Sequence, residues 1–258
     1  MSRKIAVTFG LVLLTFAVVL PTNGQSVQDW IAKGDSLYAK FDNQGALEAY
    51  AKAVQVDSTN CEALWKLARA YVDVGETKKS KKVRKQDYLV AEKLARKAVA
   101  LCPDSANTHF ILAVAVGRVA LLTGGKKKVQ LSREVKEEAE KAIALDPNHD
   151  GALHVLARWH REVANLSGFL KMAAKVIYGG LPPASNEKAV EYFKRAIAVN
   201  PEHINHHLEL GRTYQMMKKY DLARQEYEKV LQLPVKDADD PEHKKEARKL
   251  LEEIKNKH

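Results

Sequence analysis

Apolar and small residues recur along this chain at helical spacing, in stretches that come in pairs and repeat. In the second stretch of each pair a small residue is followed four positions on by an aromatic or apolar one. A small residue stands three further along, and Pro or a polar residue five beyond that. Ala46, Tyr50, Ala53 and Ser58 make one set; Ala91, Ala95, Ala98 and Pro103 a second; Ala189, Phe193, Ala196 and Pro201 a third; Ala223, Tyr227 and Val230 a fourth. Val135, Ala139, Ala142 and Pro147 make a weaker fifth. Upstream of each lies a partner stretch in which Gly34, Leu67-Ala68, Leu112-Ala113, Leu156-Ala157 or Leu210-Gly211 marks the equivalent place. Small residues at these positions let two antiparallel helices approach, and the larger ones fill the space between neighbouring pairs.

These are the marks of tetratricopeptide repeats, and they predict an all-α, right-handed solenoid of five helical hairpins with a C-terminal capping helix. The units run 27–60, 61–105, 106–149, 150–203 and 204–237. The first and last have the period of about 34 residues, and the middle three are longer by about 11, 10 and 20. All three insertions are placed between the two helices of a hairpin, so they should crowd one edge of the stack. Asp240-Pro241-Glu242 reads as an N-cap, a proline at the first helical position and an acid in the first turn of a closing helix over 240–256.

Composition narrows the function classes. With 46% apolar residues, 13 Gly, 8 Pro and 2 Cys in 258 residues, the chain is neither collagen-like, disulfide-dense nor disordered. Arg3 and Lys4 precede an uncharged run from Ile5 to Leu20, followed by Pro21-Thr22-Asn23-Gly24. That is the layout of a secretory signal peptide over residues 1–24, and sixteen apolar residues rise only about 24 Å as a helix, short of a bilayer core. The domain is therefore expected to be exported, periplasmic or extracellular after cleavage near Gly24. The alternative is an uncleaved amino-terminal anchor.

The stretch LARWHREVANLSGFLKMAAKVIYGGLPPASNEKAVEYFKRAIAVNP, Leu156 to Pro201, resembles the regulator of microtubule dynamics family. The likeness rests on Arg158-Trp159, Glu162-Val163-Ala164, a Lys-bearing apolar helix, the Pro182-Pro183 turn and the helix that follows, and extends more weakly over about 28–254. The resemblance implies a helical-repeat adaptor. Eukaryotic members are associated with microtubules, or sit on organelle membranes as tethers that handle phospholipid. The export signal sets this chain apart from them, as an exported, bacterial-type relative.

Two surfaces carry candidate residues. The first helix of each hairpin should line a concave face, which selects Ile31, Asp35 and Tyr38, then Trp65 and Arg69, Phe110 and Val114, His154, Arg158 and Arg161, and Leu208 and Arg212. Four guanidinium groups with few acids point to a carboxylate or phosphate ligand, an acidic peptide or a head group. The second surface is the insertion edge. Lys78, Lys79, Lys81, Lys82, Arg84 and Lys85 crowd one loop, and Lys126, Lys127 and Lys128 the next. By the repeat geometry these are neighbours and suit an anionic membrane surface, a solvated loop being the competing reading. In the fourth insertion Leu166, Phe169, Leu170, Ala173 and Ile177 share one helical face. Such a stripe ordinarily packs against its own hairpin; a lid over an apolar ligand or a membrane-touching element is the alternative.

Catalytic signatures are missing. There is no H-E-x-x-H, no G-x-S-x-G and no phosphate-cradling glycine loop, and His203, His206 and His207 lack Cys or carboxylate companions at ligand spacing. No cofactor or metal is expected, nor nucleic acid, since the lysine runs lack aromatic interleaving. Cys61 and Cys102 fall at the same end of the second hairpin; two separate buried thiols are favoured, with a bridge as the alternative. The reading is a non-catalytic binding scaffold using a basic groove, with a lipid-binding or membrane-tethering module second and a microtubule-associated regulator third.

Overall fold

The computed structural model describes residues 25–257, without the side chains of Ile177 and Tyr178. Residues 1–24, expected to form a signal peptide, lie outside these residues. Twelve α-helices follow one another among the described residues: α1 (Val27–Tyr38), α2 (Asn43–Val56), α3 (Cys61–Thr77), α4 (Lys81–Leu101), α5 (Ala106–Leu121), α6 (Gly125–Leu145), α7 (Asp150–Ala164), α8 (Gly168–Tyr178), α9 (Asn186–Val199), α10 (Ile204–Met216), α11 (Tyr220–Gln232) and α12 (Asp240–Ile254).

Helix starts follow from local chemistry. Ser26 Oγ accepts from Asp29 N at 3.1 Å while the Asp29 carboxylate accepts from Ser26 N at 2.8 Å, a reciprocal capping box. Asp42, Asn60 and Ser185 cap α2, α3 and α9 in the same sense. The closing helix differs slightly from expectation: Asp239 is its cap, and the Asp240 carboxylate instead accepts from the backbone of Lys236 and Asp237, at 2.8 Å each.

Helices pair as α1–α2, α3–α4, α5–α6, α7–α9 and α10–α11, and the pairs stack in chain order. The repeat residues build the core: Ala46, Tyr50, Ala53, Ala91, Ala95, Ala98, Ala189, Phe193, Ala196, Ala223, Tyr227 and Val230 are buried without exception. Two glycines explain the close approach. A Cβ on Gly34 would sit 2.3 Å from the Tyr50 ring and one on Gly211 2.5 Å from the Tyr227 ring, so each ring lies directly on the partner helix backbone. The backbones of the first helices α1, α3, α5, α7 and α10 approach one another in succession while those of the second helices stand further apart, α4 and α6 meeting only through side chains such as Arg96 and Glu134, which puts the first helices inside the curve.

The extra residues of the second and third hairpins do not form loops. They lengthen the helices: α4 and α6 have 21 residues each against 14 in α2 and 13 in α11, and only residues 78–80 and 122–124 connect α3 to α4 and α5 to α6. The lysine-rich segments contain good helix formers and no proline, so extension costs less than looping out. The lysine runs therefore stand on the first turns of α4 and α6. In the fourth hairpin the insertion folds as α8 and an extended return over 179–185, with Leu181 and Ala184 packing against the main core.

Cys61 and Cys102 are joined as a disulfide, their Cα atoms 6.3 Å apart, rather than standing as separate buried thiols. Antiparallel pairing of α3 and α4 puts the start of one beside the end of the other, and both residues are only half-buried.

Candidate functional site

The concave face is built from α3, α5, α7 and α10, and its position is fixed from behind. Trp159, 5% exposed, donates its indole N–H to Ser132 O at 2.7 Å, which locks α7 onto α6 and turns the neighbouring Arg158 toward the inside of the curve. Arg158 is half-buried and makes no hydrogen bond or ion pair among the described residues. Burial lowers its pKa, opposed by Glu209, with Arg118 and Arg161 adding to the lowering. Arg118, four residues beyond Val114 on the same helical face, pairs with Glu76. Arg212 pairs with Glu246 and lies 3.5 Å from Glu209.

At the other end of the groove the Arg69 guanidinium stacks 4.0 Å from the Tyr38 ring centroid and 5.4 Å from that of Trp65. Asp73, one turn on, has a buried Oδ2 with no hydrogen-bond partner, as have the Nε atoms of Arg69 and Arg212. Burial pushes the Asp73 carboxyl up to about 7; Arg69 opposes this, while Glu76, Asp237 and Asp239 add to it. Asp237 and Asp239 arrive from the loop between α11 and α12. Ala238 and Asp239 share a surface depression with Phe41, Val74, Thr77 and Lys78, so the last turn of the spiral comes round to the first two hairpins.

Several residues expected in the groove are elsewhere. Arg161 is 2% exposed, with Nη1 on the Glu209 carboxylate and on Glu209 O at 3.1 Å: it is a buried α7–α10 strut. Burial pushes the Glu209 carboxyl up, but Arg158, Arg161 and Arg212 outweigh it and hold it below the usual range. His154 is buried against His206, Nδ1 to Nδ1 2.9 Å, and against the Phe193 ring. Ile31 and Leu208 are core residues. Phe110 packs on the His149 ring and over Gly151, at the junction of two hairpins. All five sit where successive first helices meet, a contact that a single-helix face cannot reveal. Trp65, Arg69, Arg158 and Arg212 remain half-exposed on the concave side. The groove is thus of mixed sign, not simply basic. Arg118 was findable at its four-residue step; Asp73, Glu76, Glu209 and the 237–239 loop were not, because their proximity is set across hairpins.

The stripe of α8 does not pack on its hairpin. Phe169 is 79% exposed, Met172 66%, Val176 78% and Leu170 50%, while Leu166 and Ala173 are half-buried and Ile177 falls among the undescribed side chains. Ala174, on the opposite side of the helix, is the residue that meets the body. The helix lies against α6, outside the curve, so it is no lid over the groove. Arg133 donates from Nε to Gly180 O at 3.0 Å and anchors its end. Among the described residues no three His, Cys, Asp or Glu converge to hold a metal.

The family model described as "Regulator of microtubule dynamics protein 1-3" matches residues 30–255. "Regulator of microtubule dynamics protein 1" of Bos taurus is 29% identical over 235 residues, covering 90% of this chain and 73% of the relative. The protein of the same name from Caenorhabditis elegans is 27% identical over 221 residues, 86% of this chain and 97% of its own. Among solved structures, a thermophilic TPR protein of Thermus thermophilus superposes with a TM-score of 0.64 at 18% identity, covering 86% of this chain and 99% of that one. That likeness shows the fold.

Proposed function

We propose that this chain, which belongs to the regulator of microtubule dynamics family, is a non-catalytic scaffold whose concave groove binds an extended protein segment. The observation that carries the reading is a set of buried polar atoms without a hydrogen-bond partner on one inner surface, Arg69 Nε, Arg212 Nε and Asp73 Oδ2, beside the half-buried Arg158 guanidinium, which meets no protein partner among the described residues. A buried polar atom without a partner costs about 1–3 kcal/mol, which a ligand supplying that partner recovers. The unmet set includes both donors and an acceptor. A peptide offers both along its backbone, whereas a bare phosphate or carboxylate offers acceptors alone, so a set that pairs guanidinium donors with a carboxyl group favours peptide over head group. An acidic side chain of that peptide would meet Arg158 between Arg118 and Arg212.

The test is fluorescence anisotropy of labelled twelve-residue peptides, one set with a Glu-containing centre and one with Gln in its place. Arg158→Gln should weaken the Glu set about tenfold or more and leave the Gln set nearly unchanged, with the thermal midpoint held. Equal affinity of the variant for the Glu set would discard the groove reading. Arg212 is unsuited to this test because its removal frees Glu209 and Glu246.

We carry export through residues 1–24 as part of the same reading; the Cys61–Cys102 bridge supports it, since such bonds persist in oxidising compartments. Microtubule regulation, recorded in the relatives' name, is the second reading, and amino-terminal sequencing of the mature chain decides between them.

A further inference from the structure

The edge of the solenoid formed by the ends of the second to fourth hairpins joins three things that the groove does not use. First, the N-termini of α4 and α6 have no acidic residue in the first turn and no side-chain cap, and carry Lys81, Lys82 and Lys126–Lys128 instead. A helix N-terminus already bears positive partial charge, so lysine there works against helix stability and adds to an outward positive field. Second, Lys79, Lys81, Lys82, Lys85 and Lys126–Lys128 are exposed and have no ion-pair partner among the described residues. Elsewhere Lys136, Lys188 and Lys236 are paired with Glu, and lysines unpaired among the described residues, such as Lys93, Lys194 and Lys218, stand scattered, so it is the density of unpaired lysine that sets this edge apart. Third, α8 presents Phe169, Met172 and Val176 away from the body, with Lys171 and Lys175 flanking them.

These features are contiguous. Lys81, Lys82 and Lys85 share a surface depression with Leu121, Leu122 and Thr123, and Lys126 follows within three residues. About two turns along α6, Arg133 holds Gly180 at the end of α8.

We propose that this edge is a peripheral docking face for anionic lipid bilayers, in which α8 seats its apolar side at the headgroup–acyl boundary and the α4 and α6 lysines lie over the lipid charges. Charge complementarity selects an anionic surface. The outward apolar stripe selects a bilayer over an acidic protein tail or a nucleic acid, either of which would engage the lysines and leave Phe169 and Val176 in water. An interfacial helix buries its apolar face about 5–10 Å deep, within reach of these side chains. The opposite ends of the hairpins carry Asp57, Asp104, Asp146 and Glu202, so an anionic surface orients the molecule with that rim outward. The proposal is independent of what the groove binds.

The experiment is co-sedimentation of the full chain with vesicles of phosphatidylcholine alone and with 30 mol% phosphatidylserine, at 0.1 and 0.5 M salt. The neutral vesicles read any contribution from the apolar residues 5–20. Binding to the anionic vesicles should exceed binding to neutral ones and fall to the neutral level at high salt. Each lysine near the surface contributes roughly a fivefold factor, so Lys81→Glu with Lys82→Glu and Lys127→Glu should weaken anionic binding by about a hundredfold or more. Phe169→Ser with Val176→Ser should weaken it about tenfold or more on the same vesicles. Phe169→Trp should shift its emission to the blue on anionic vesicles. No preference for anionic vesicles overturns the proposal. So does an unchanged affinity of the α8 variant or an unshifted tryptophan, since either would leave the edge a polyanion site. Loss of sedimentation when vesicles are omitted excludes self-association, and persistence of it overturns the proposal.

Discussion

The buried charges between α7 and α10 and the exposed charges at the starts of α4 and α6 invite comparison, because both read as basic clusters in the sequence. Between α7 and α10 every cation but one has a partner: Arg161 holds Glu209, and Arg212 holds Glu246 and approaches Glu209. At the α4 and α6 starts no lysine has one among the described residues, and the helix ends repel them. The first arrangement fixes how the fourth and fifth hairpins meet. The second spends stability on nothing inside the molecule, which is where a surface for something outside is to be sought. A cationic residue is read from what surrounds it.

The largest expected effect breaks the paired side. Glu209→Ala removes the buried carboxylate from Arg161, 2% exposed, and leaves it only the exposed Glu162 as a counter-charge, which should cost about 3 kcal/mol in urea-induced unfolding. Arg161→Met together with Glu209→Leu should recover most of that loss. If the double variant is as unstable as the single one, the pair is more than a neutralised strut.

A smaller effect comes from pH. His203 is pushed down to about 4 by burial, with His206 adding to it, and His154 is lowered in the same direction by burial and His206. Both hold fewer protons folded than unfolded, so the stability they contribute is present above the ordinary 6.5 and is lost as pH falls from there toward 4. Asp73, raised to about 7, acts in the opposite sense: it holds its proton when folded, and stability drains away as pH rises from about 4 to 7. Urea midpoints followed from about pH 4 to 8 should therefore flatten on the acid side in His203→Gln and on the neutral side in Asp73→Asn. An Asp73→Asn profile that parallels the parent would mean that Asp73 ionises normally and is not a closed-off acid in the groove.

The smallest effect sharpens the unpaired side. Lys81→Glu replaces the wrong sign at the first turn of α4 and should raise stability by about 0.3–1 kcal/mol at low salt, fading at high salt. A stabilised protein that has lost affinity for anionic vesicles would separate the two roles of charge in one substitution. Destabilisation would show that Lys81 has a structural partner after all.

Much of the fold was legible. Ala46, Tyr50 and Ala53, with their counterparts in later hairpins, announced helix pairs because close helix packing demands small residues at fixed steps, and steps of three and four are local properties of a helix. The candidate site was legible only in part. Trp65, Arg69, Arg158 and Arg212 lie on the expected face, but His154, Arg161 and Leu208, at the same spacing, are interior. Helical phase says which way a side chain leaves its own helix and says nothing of whether another helix stands there.

By itself, then, the sequence determined the number of hairpins, the small-against-large packing within each and the family, the first two of which depend on residues fewer than about 40 positions apart. Tertiary structure alone decided that Glu209 turns Arg161 into a strut, that Asp237 and Asp239 come round beside Asp73, that the lysine runs cap extended helices, and that α8 faces outward. Each of these depends on how hairpins meet and on the curvature of the stack, which accumulates small offsets over five hairpins and brings together charges that no local pattern couples.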